Sequence, residues 1–132
     1  MWGATEEQKK QIDELKATLH LNLAACQLKI NEPYEAAENC SKTLELDASN
    51  VKALFRRGQA YNKAGEYEKA RKDLIEAAKR DPSNKAIRDE IESVKKNEAN
   101  AKEKEKAMFG VMVDRQKRQQ QQQQQQQQNT QS

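Results

Sequence analysis

The chain has 132 residues, of which 34% are charged and 5% are aromatic, and its mean hydropathy is −1.20. A chain this polar can bury only one small core, which argues against most enzyme domains. The formal net charge is +3, from 24 Lys and Arg against 21 Asp and Glu, so the bulk charge does not indicate a nucleic-acid binder.

The sequence has few of the residues from which metal sites, disulfides or membrane-spanning helices are built. Cys26 and Cys40 lie 14 residues apart without a CxxC motif, and His20 is the single histidine, so we expect no metal site, disulfide framework or cofactor. No run approaches the roughly 20 apolar residues of a membrane helix, and the start lacks the layout of a signal peptide. We therefore expect no membrane partner and a cytoplasmic location, with the nucleus as the alternative.

An internal repeat organises the chain. Residues 17–50 and 51–84 are both 34 residues long and align without a gap. Small residues recur at equivalent positions, as in the pairs Ala24 and Gly58, Cys26 and Ala60, and Ala36 and Ala70. Small side chains let two helix backbones approach closely, so each unit is predicted to be a pair of antiparallel helices.

The predicted elements begin with residues 1–16, in which Ile12 and Leu15 share one helix face and which we interpret as the end of a preceding, truncated repeat. The first unit, 17–50, turns at Asn31, and Pro33 opens its second helix. The second unit, 51–84, is predicted to be helical over about 51–64 and 67–80, with Gly65 in the turn between them. No strand pattern is present.

Two further segments follow the repeats. Ile87, Ile91 and Val94 form an apolar stripe, which predicts a helix over 85–113 that covers the last repeat. Residues 114–132 contain an unbroken glutamine run from Gln119 to Gln128, which cannot bury a core, and we expect a disordered tail there.

The second unit resembles the tetratricopeptide repeat (TPR) family. It carries the family's pattern in Leu54, Gly58, Tyr61, Tyr67, Ala70, Ala77 and Pro82. The first unit departs from the pattern at His20, Gln27 and Ala48. The resemblance implies an all-α fold, a helix-turn-helix solenoid in a right-handed superhelix, here with a long C-terminal capping helix.

The first helices of such repeats line a groove that holds extended peptides. Lys52 and Arg56 lie four residues apart on one face of the second unit's first helix, and Gln59 and Lys63 continue that line. Asn22, Ala25 and Lys29 form the matching line in the first unit. These two lines carry cations and amides but no carboxylate. They therefore predict an acidic peptide or a terminal carboxylate as the ligand.

The runs HLNLAAC from His20, KALFRRG from Lys52 and EKEKAMFGVM from Glu103 resemble the C-terminal TPR domains of large FKBP-type immunophilins, which are peptidyl-prolyl isomerases. In that family a clamp of five residues grips the Glu-Glu-Val-Asp (EEVD) terminus of the ninety-kilodalton heat-shock chaperone. Asn22, Lys52 and Arg56 match three clamp positions, and the other two have no counterpart. No segment of this sequence matches the family's isomerase domain. We therefore expect no catalytic residues and no enzyme activity in this chain.

Structural roles are predicted for several neighbouring residues. Arg57 is expected to face an adjacent helix, and His20 to pack where the other unit has Leu54. Cys26 and Cys40 take the positions of Ala60 and Leu74, so both are predicted to be buried.

Three alternatives to the chaperone partner remain open. Residues 95–118 hold 8 basic and 4 acidic side chains, a net charge of +4, next to Met108, Phe109 and Met112. That combination is compatible with a calmodulin target. Nucleic-acid binding by the basic tail is a weaker alternative, since few aromatic residues could stack on bases. A general TPR scaffold is the third.

Overall fold

The computed structural model describes residues 3–131, and these form five α-helices and no strand. The helices are α1 (Glu6–Lys29), α2 (Pro33–Leu46), α3 (Val51–Lys63), α4 (Tyr67–Arg80) and α5 (Lys85–Gln131). The predicted all-α fold of paired helices is confirmed, and α3 and α4 begin and end within one residue of the predicted bounds.

The long helix α1 differs from the expectation for residues 6–16. Those residues continue into 17–29 as one helix, which starts at Thr5 with a capping box. The Thr5 hydroxyl accepts from the Gln8 backbone N–H at 3.1 Å, and the Gln8 side chain accepts from the Thr5 N–H at 3.0 Å. Since no Gly or Pro follows until after Ile30, nothing interrupts the helix. Residues 6–16 are therefore part of the first repeat's own first helix.

The turn inside each repeat is made in the same way. Asn31 and Gly65 occupy equivalent positions, and both have the left-handed backbone, with φ of 60° and 78°. The next residue donates back across the helix end, from Glu32 N–H to the Gln27 carbonyl and from Glu66 N–H to the Tyr61 carbonyl, both at 2.8 Å. These bonds satisfy carbonyls that the helix leaves unpaired, and Asn and Gly tolerate this backbone best.

The turn that follows each repeat also recurs. The Asn50 and Asn84 side chains accept from the backbone N–H three residues on, at 3.0 and 3.4 Å, and so cap α3 and α5. Their amide nitrogens donate to Asp47 and Asp81 at 3.3 and 3.0 Å.

The helices of a pair approach most closely at Gly58. A Cβ placed there would lie 2.6 Å from Cγ of Leu74, which is fully buried. The first repeat has Ala24 and Cys40 at the equivalent positions, also fully buried in one cluster. A larger residue on one helix is thus matched by a smaller one on the other, which keeps the packing close in both repeats.

The start of α5 covers the second repeat, as its apolar stripe predicted. Ile87 packs against Leu54 and Ala77, while Val94 packs in a separate cluster against Leu74. Both α5 residues are at most 1% exposed.

A polar network fastens the same part of α5 to α3. The buried Asn62 side chain donates to Glu90 at 2.9 Å and to Ser93 at 3.2 Å, and it accepts from the Asn97 amide at 3.0 Å. Because every polar atom of the Asn62 amide has a partner, burial does not leave a hydrogen bond unmade.

Residues 98–131 form a second unit, described here by itself. The structure is helical through Gln131, whereas the sequence predicted a helix end at 113 and a disordered tail from 114. Glutamine has a good helix propensity, and residues 111–131 contain no Gly or Pro that would end a helix. The side chains of Gln116 and of the glutamine run 119–128 are exposed, so the helix there is supported by the helix propensity of glutamine and not by packing.

The two cysteines differ in environment, and the prediction for one of them is wrong. Cys40 is fully buried, whereas Cys26 is exposed. The equivalent of Cys26 is Ala60, which is buried against residues of α2. No helix of the described residues covers the corresponding side of α1, so the thiol there stays exposed.

We expect Gly58→Ala to destabilise the fold, because the added methyl group would have to displace the buried Leu74 side chain. Overpacking costs about 1–3 kcal/mol, and the better helix propensity of Ala returns about 1 kcal/mol, so a net loss of about 1 kcal/mol is expected. Urea unfolding followed by circular dichroism measures this. Gly110→Ala, where nothing lies within 4 Å, is the control and should cost nothing. A Gly58→Ala protein as stable as the parent would contradict the close approach.

The two thiols should also react differently. Burial raises the pKa of the Cys40 thiol to about 12, so it stays neutral and unreactive at pH 8. A disulfide reagent in dilute solution should therefore titrate one thiol per folded chain rapidly, and the second only after unfolding. Cys26→Ser should remove the rapid phase. Equal rates for both thiols in the folded chain would contradict the buried environment of Cys40.

Candidate functional site

The helices α1 and α3 lie side by side in a fixed register. The Arg56 guanidinium donates from Nη1 to the Leu21 carbonyl at 2.8 Å, and the Lys63 ammonium donates to the Leu28 carbonyl at 3.2 Å. Both bonds join residues 35 apart in sequence, and they lie two helical turns from each other. Two bonds with the same offset show that α1 and α3 run parallel over these turns.

This register places the predicted groove residues on one surface. Asn22 follows Leu21 and so lies in the turn that Arg56 contacts, and Lys29 follows Leu28, which Lys63 contacts. The surface that we call the α1–α3 face consists of Asn22, Lys29, Lys52, Arg56, Gln59 and Lys63. Its far end contains a shallow depression lined by Leu28, Lys29, Gln59 and Lys63.

Lys52 lies in the first turn of α3, one turn before Arg56. Its side chain is exposed, and none of the hydrogen bonds or ion pairs described within residues 3–131 involves it. The N-terminus of a helix carries a partial positive charge, so α3 adds to the positive potential at this end of the face. Lys52 is thus positioned to bind an anion without first breaking another bond.

Arg56 is half-buried, and its bond to the Leu21 carbonyl fixes the direction of the guanidinium. A guanidinium has further N–H donors beyond the one that this bond uses. Arg56 can therefore remain attached to α1 while it donates to a carboxylate on the surface.

Arg57 has the structural role that the sequence predicted. Its guanidinium donates twice to the Asp73 carboxylate, both at 2.7 Å, and once to the Ser41 hydroxyl at 3.1 Å. Asp73 is 5% exposed. The hydrogen bond with Asp73 raises the pKa of Arg57 above its ordinary value, so the guanidinium stays charged. Arg57 thus joins α3 to α2 of the first repeat and to α4 of its own.

The first repeat has Asn39 at the position of Asp73, and there the partners are different. The Asn39 amide donates to the Gln27 side chain at 2.8 Å, which leaves its oxygen to accept from Nδ1 of His20 at 2.9 Å. His20 and Gln27 are two of the residues that depart from the TPR pattern. The structure shows that both departures serve one buried amide, and His20 is half-buried between helices as expected.

Sequence reasoning did not identify Asp73, Asn39 or Asn62 as buried polar residues. One signal could have found the first two, because they occupy the same repeat position, on the helix face that also holds Ala36 and Ala70 three residues earlier. Within residues 3–131 no cluster of His, Cys, Asp or Glu is arranged to hold a metal ion. No described helix is long and apolar enough to cross a membrane.

The residues named for the calmodulin alternative lie on the helix of the second unit. Met108 and Phe109 are both 67% exposed, and Met112 is 58% exposed. These side chains are accessible to a partner. No feature of the fold favours calmodulin or RNA as that partner, so both alternatives stay predictions.

Comparison with known proteins agrees with this architecture. The family model for the tetratricopeptide repeat matches residues 51–84, the same residues as the second sequence unit. The chain is 37% identical over 111 residues to the peptidyl-prolyl cis-trans isomerase FKBP4 of Bos taurus. The match covers 84% of this chain and 24% of that protein, so the chain spans about a quarter of its relative's length. The isomerase domain lies in the portion that is not covered.

Solved structures share the fold. The C-terminal TPR-containing domain of an FK506-binding protein from Plasmodium falciparum has a TM-score of 0.72 and 29% identity, over 77% of this chain and 68% of that one. The second TPR domain of human RPAP3, solved with the HSP70 peptide SGPTIEEVD, has a TM-score of 0.58 and 34% identity, over 60% and 66% of the two chains. The first TPR domain of Spaghetti, bound to the HSP90 peptide SRMEEVD, has a TM-score of 0.60 and 25% identity, over 63% and 66%.

The repeat length, the paired helices and the match to residues 51–84 agree with one another. Residues 51–84 are therefore a tetratricopeptide repeat, and the chain is similar to the C-terminal TPR-containing part of FKBP-type peptidyl-prolyl isomerases.

Proposed function

We propose that the chain binds the acidic C-terminal peptide of a heat-shock chaperone, ending in EEVD, on the α1–α3 face. The observation that carries the proposal is the gathering of four cations on two adjacent parallel helices. Lys29, Lys52, Arg56 and Lys63 lie there together with the amides of Asn22 and Gln59. Like charges so close destabilise the free protein slightly, and an anionic ligand relieves that repulsion.

The anchor of the peptide is its terminal Asp, which carries both the chain-terminal carboxylate and a side-chain carboxylate. Lys52, Arg56 and Asn22 can donate to these oxygens, and the N-terminus of α3 adds to the attraction. Charge-assisted hydrogen bonds contribute about 1.5–3 kcal/mol each. At the other end of the face, Lys29 and Lys63 border the depression and suit the Glu side chains upstream.

Two similar domains support this ligand. One is solved with an HSP70 peptide and one with an HSP90 peptide, and both peptides end in EEVD. Between the two classes of chaperone, the resemblance to the large FKBP-type immunophilins, which implies a clamp for the ninety-kilodalton chaperone, favours that one.

The affinity of the chain alone should be low. The five-residue clamp that the resemblance implies has three positions here, at Asn22, Lys52 and Arg56. Losing two charge-assisted contacts costs several kcal/mol, by the contribution of about 1.5–3 kcal/mol for each. An additional repeat that supplies those two positions should tighten the binding.

Titration calorimetry with the peptides SRMEEVD and SGPTIEEVD tests the proposal. Lys52→Ala should weaken binding by about tenfold or more, since about 1.4 kcal/mol corresponds to a factor of ten. It is the cleaner variant, because Arg56→Ala also removes the bond to the Leu21 carbonyl. Lys72→Ala removes the same charge from α4 and should leave the affinity unchanged. A peptide with an amidated C-terminus should bind more weakly than the free acid.

Two results would contradict the proposal. One is submicromolar binding that Arg56→Ala leaves unchanged, because the ligand would then lie elsewhere. The other is an equal loss of affinity for Lys52→Ala and Lys72→Ala, which would indicate an unspecific effect of net charge.

A further inference from the structure

The groove surface continues beyond the α1–α3 face onto the start of α5. The 34-residue period that relates α1 to α3 also relates α3 to α5, since α3 begins at Val51 and α5 at Lys85. Three residues of α5 therefore take the repeat positions of the last three α3 members of the α1–α3 face. They are Glu90, Ser93 and Asn97, and we call them the α5 edge.

The contacts between α3 and α5 agree with this correspondence. The Asn97 amide donates to the Asn62 side chain, and these two residues are 35 apart, as are the residues that join α1 to α3. Glu90 and Ser93 accept from the same Asn62 amide. The start of α5 thus lies beside α3 much as α3 lies beside α1, and the α5 edge borders the α1–α3 face.

The charge changes sign between the two surfaces. The α1–α3 face carries cations and amides, whereas the α5 edge carries the carboxylate of Glu90. Glu90 is half-buried, and Asn62 donates to one of its oxygens at 2.9 Å. None of the ion pairs described within residues 3–131 involves Glu90. Because a carboxylate can accept about four hydrogen bonds, Glu90 retains the capacity to bind a cation.

The bond from Asn62 fixes where this carboxylate lies along α3. Asn62 directly precedes Lys63, which is the member of the α1–α3 face farthest from Lys52 on α3. Lys63 donates to a carbonyl of α1, whereas Asn62 donates to α5. The far end of the groove therefore has a cationic side at α1 and an acidic side at α5.

An extended peptide anchored at Lys52 and Arg56 is long enough to reach the far end. Lys63 lies 11 residues after Lys52, which is about 17 Å along the helix at about 1.5 Å per residue. Five residues of extended peptide also span about 17 Å, at about 3.3 Å per residue. The peptide residue five places before the terminal Asp therefore lies level with the Glu90 carboxylate.

The peptides bound by the two similar domains differ at that place. In the HSP90 peptide SRMEEVD the residue five places before the terminal Asp is Arg, and in the HSP70 peptide SGPTIEEVD it is Thr. A guanidinium can donate to the Glu90 carboxylate with a gain in charge pairing, whereas a hydroxyl brings no charge.

We propose that Glu90 selects peptides that carry a basic residue five places before the terminal Asp. This inference rests on the proposed function and deepens it, because it names the class of EEVD peptide that the groove prefers. Glu90 pairs with the basic side chain, while the cations of the α1–α3 face hold the acidic residues. Peptides of the SRMEEVD type are therefore bound in preference to those of the SGPTIEEVD type.

Titration calorimetry at low ionic strength, with SRMEEVD and its variant STMEEVD, tests the preference. The parent chain should bind SRMEEVD about threefold more tightly, which is the size expected of a partly exposed ion pair. Net charge alone predicts the opposite order, because STMEEVD is the more negative peptide and the α1–α3 face is cationic. A preference for Arg therefore requires a carboxylate near that side chain.

The variant Glu90→Gln should abolish the preference. Glutamine keeps an oxygen that accepts from Asn62, so the fold is retained while the charge is lost. We expect a threefold loss of affinity for SRMEEVD and no loss for STMEEVD, whereas a merely structural role of Glu90 would affect both peptides alike. Glu92→Gln is the control, since Glu92 is exposed on another side of α5 and pairs with Lys95. It should leave the preference unchanged.

Charge reversal gives a second test. Glu90→Lys should bind the peptide SEMEEVD more tightly than SRMEEVD, which inverts the order found with the parent chain.

The outcomes separate the inference from the proposed function on which it rests. If SRMEEVD and STMEEVD bind equally well, or if Glu90→Gln keeps the preference for Arg, the role of Glu90 is overturned while binding of EEVD peptides stands. If the parent chain binds no EEVD peptide, both are overturned.

Discussion

The ion pair between Arg57 and Asp73 joins the two helices of the second repeat and holds the Arg57 guanidinium where it reaches the first repeat. Arg57 lies on α3, its carboxylate partner is on α4, and its third donor reaches Ser41 on α2, so one side chain joins both repeats. Because Asp73 is buried, removal of either partner would leave an uncompensated charge, at a cost of about 3–5 kcal/mol. The next residue toward the N-terminus, Arg56, is directed at α1 instead. The register of α1 and α3 is fixed by the bonds of Arg56 and Lys63 to carbonyls of α1.

The two repeats solve the same packing problem with different residues. Gly58 with Leu74 and Ala24 with Cys40 both keep their helices close, with the larger side chain on the second helix in each case. Asn39 and Asp73 occupy one position, yet the amide has His20 and Gln27 as partners and the carboxylate has Arg57. Buried polar residues persist here because each has a complete set of partners, and in that case burial carries little penalty.

Much of the fold could be predicted from the sequence, because a 34-residue period, small residues at fixed offsets and the turn at Gly65 follow from local rules. The exposure of Cys26 could not be predicted. Its equivalent, Ala60, is buried against α2, whereas no described helix packs on the corresponding side of α1. The length of α1 was also not predicted. The 34-residue repeat places a boundary at residue 17, but the chain has no helix-breaking residue there and the helix continues through it. For the α1–α3 face, helix periodicity was enough to predict that the cations lie on one side of their helices. Their attachment to the α1 carbonyls was not, because it requires the register between two helices.

The central claim is that the Arg57–Asp73 pair joins α3 to α4 and holds the guanidinium in the position from which it donates to Ser41 of the first repeat. A double-mutant cycle by urea unfolding, with Arg57→Leu, Asp73→Leu and the double variant, tests it most directly. The account predicts that each single variant is strongly destabilised and that the double variant recovers stability, with a coupling energy of about 1–3 kcal/mol. Additive effects of the two substitutions, with a coupling energy near zero, would contradict it.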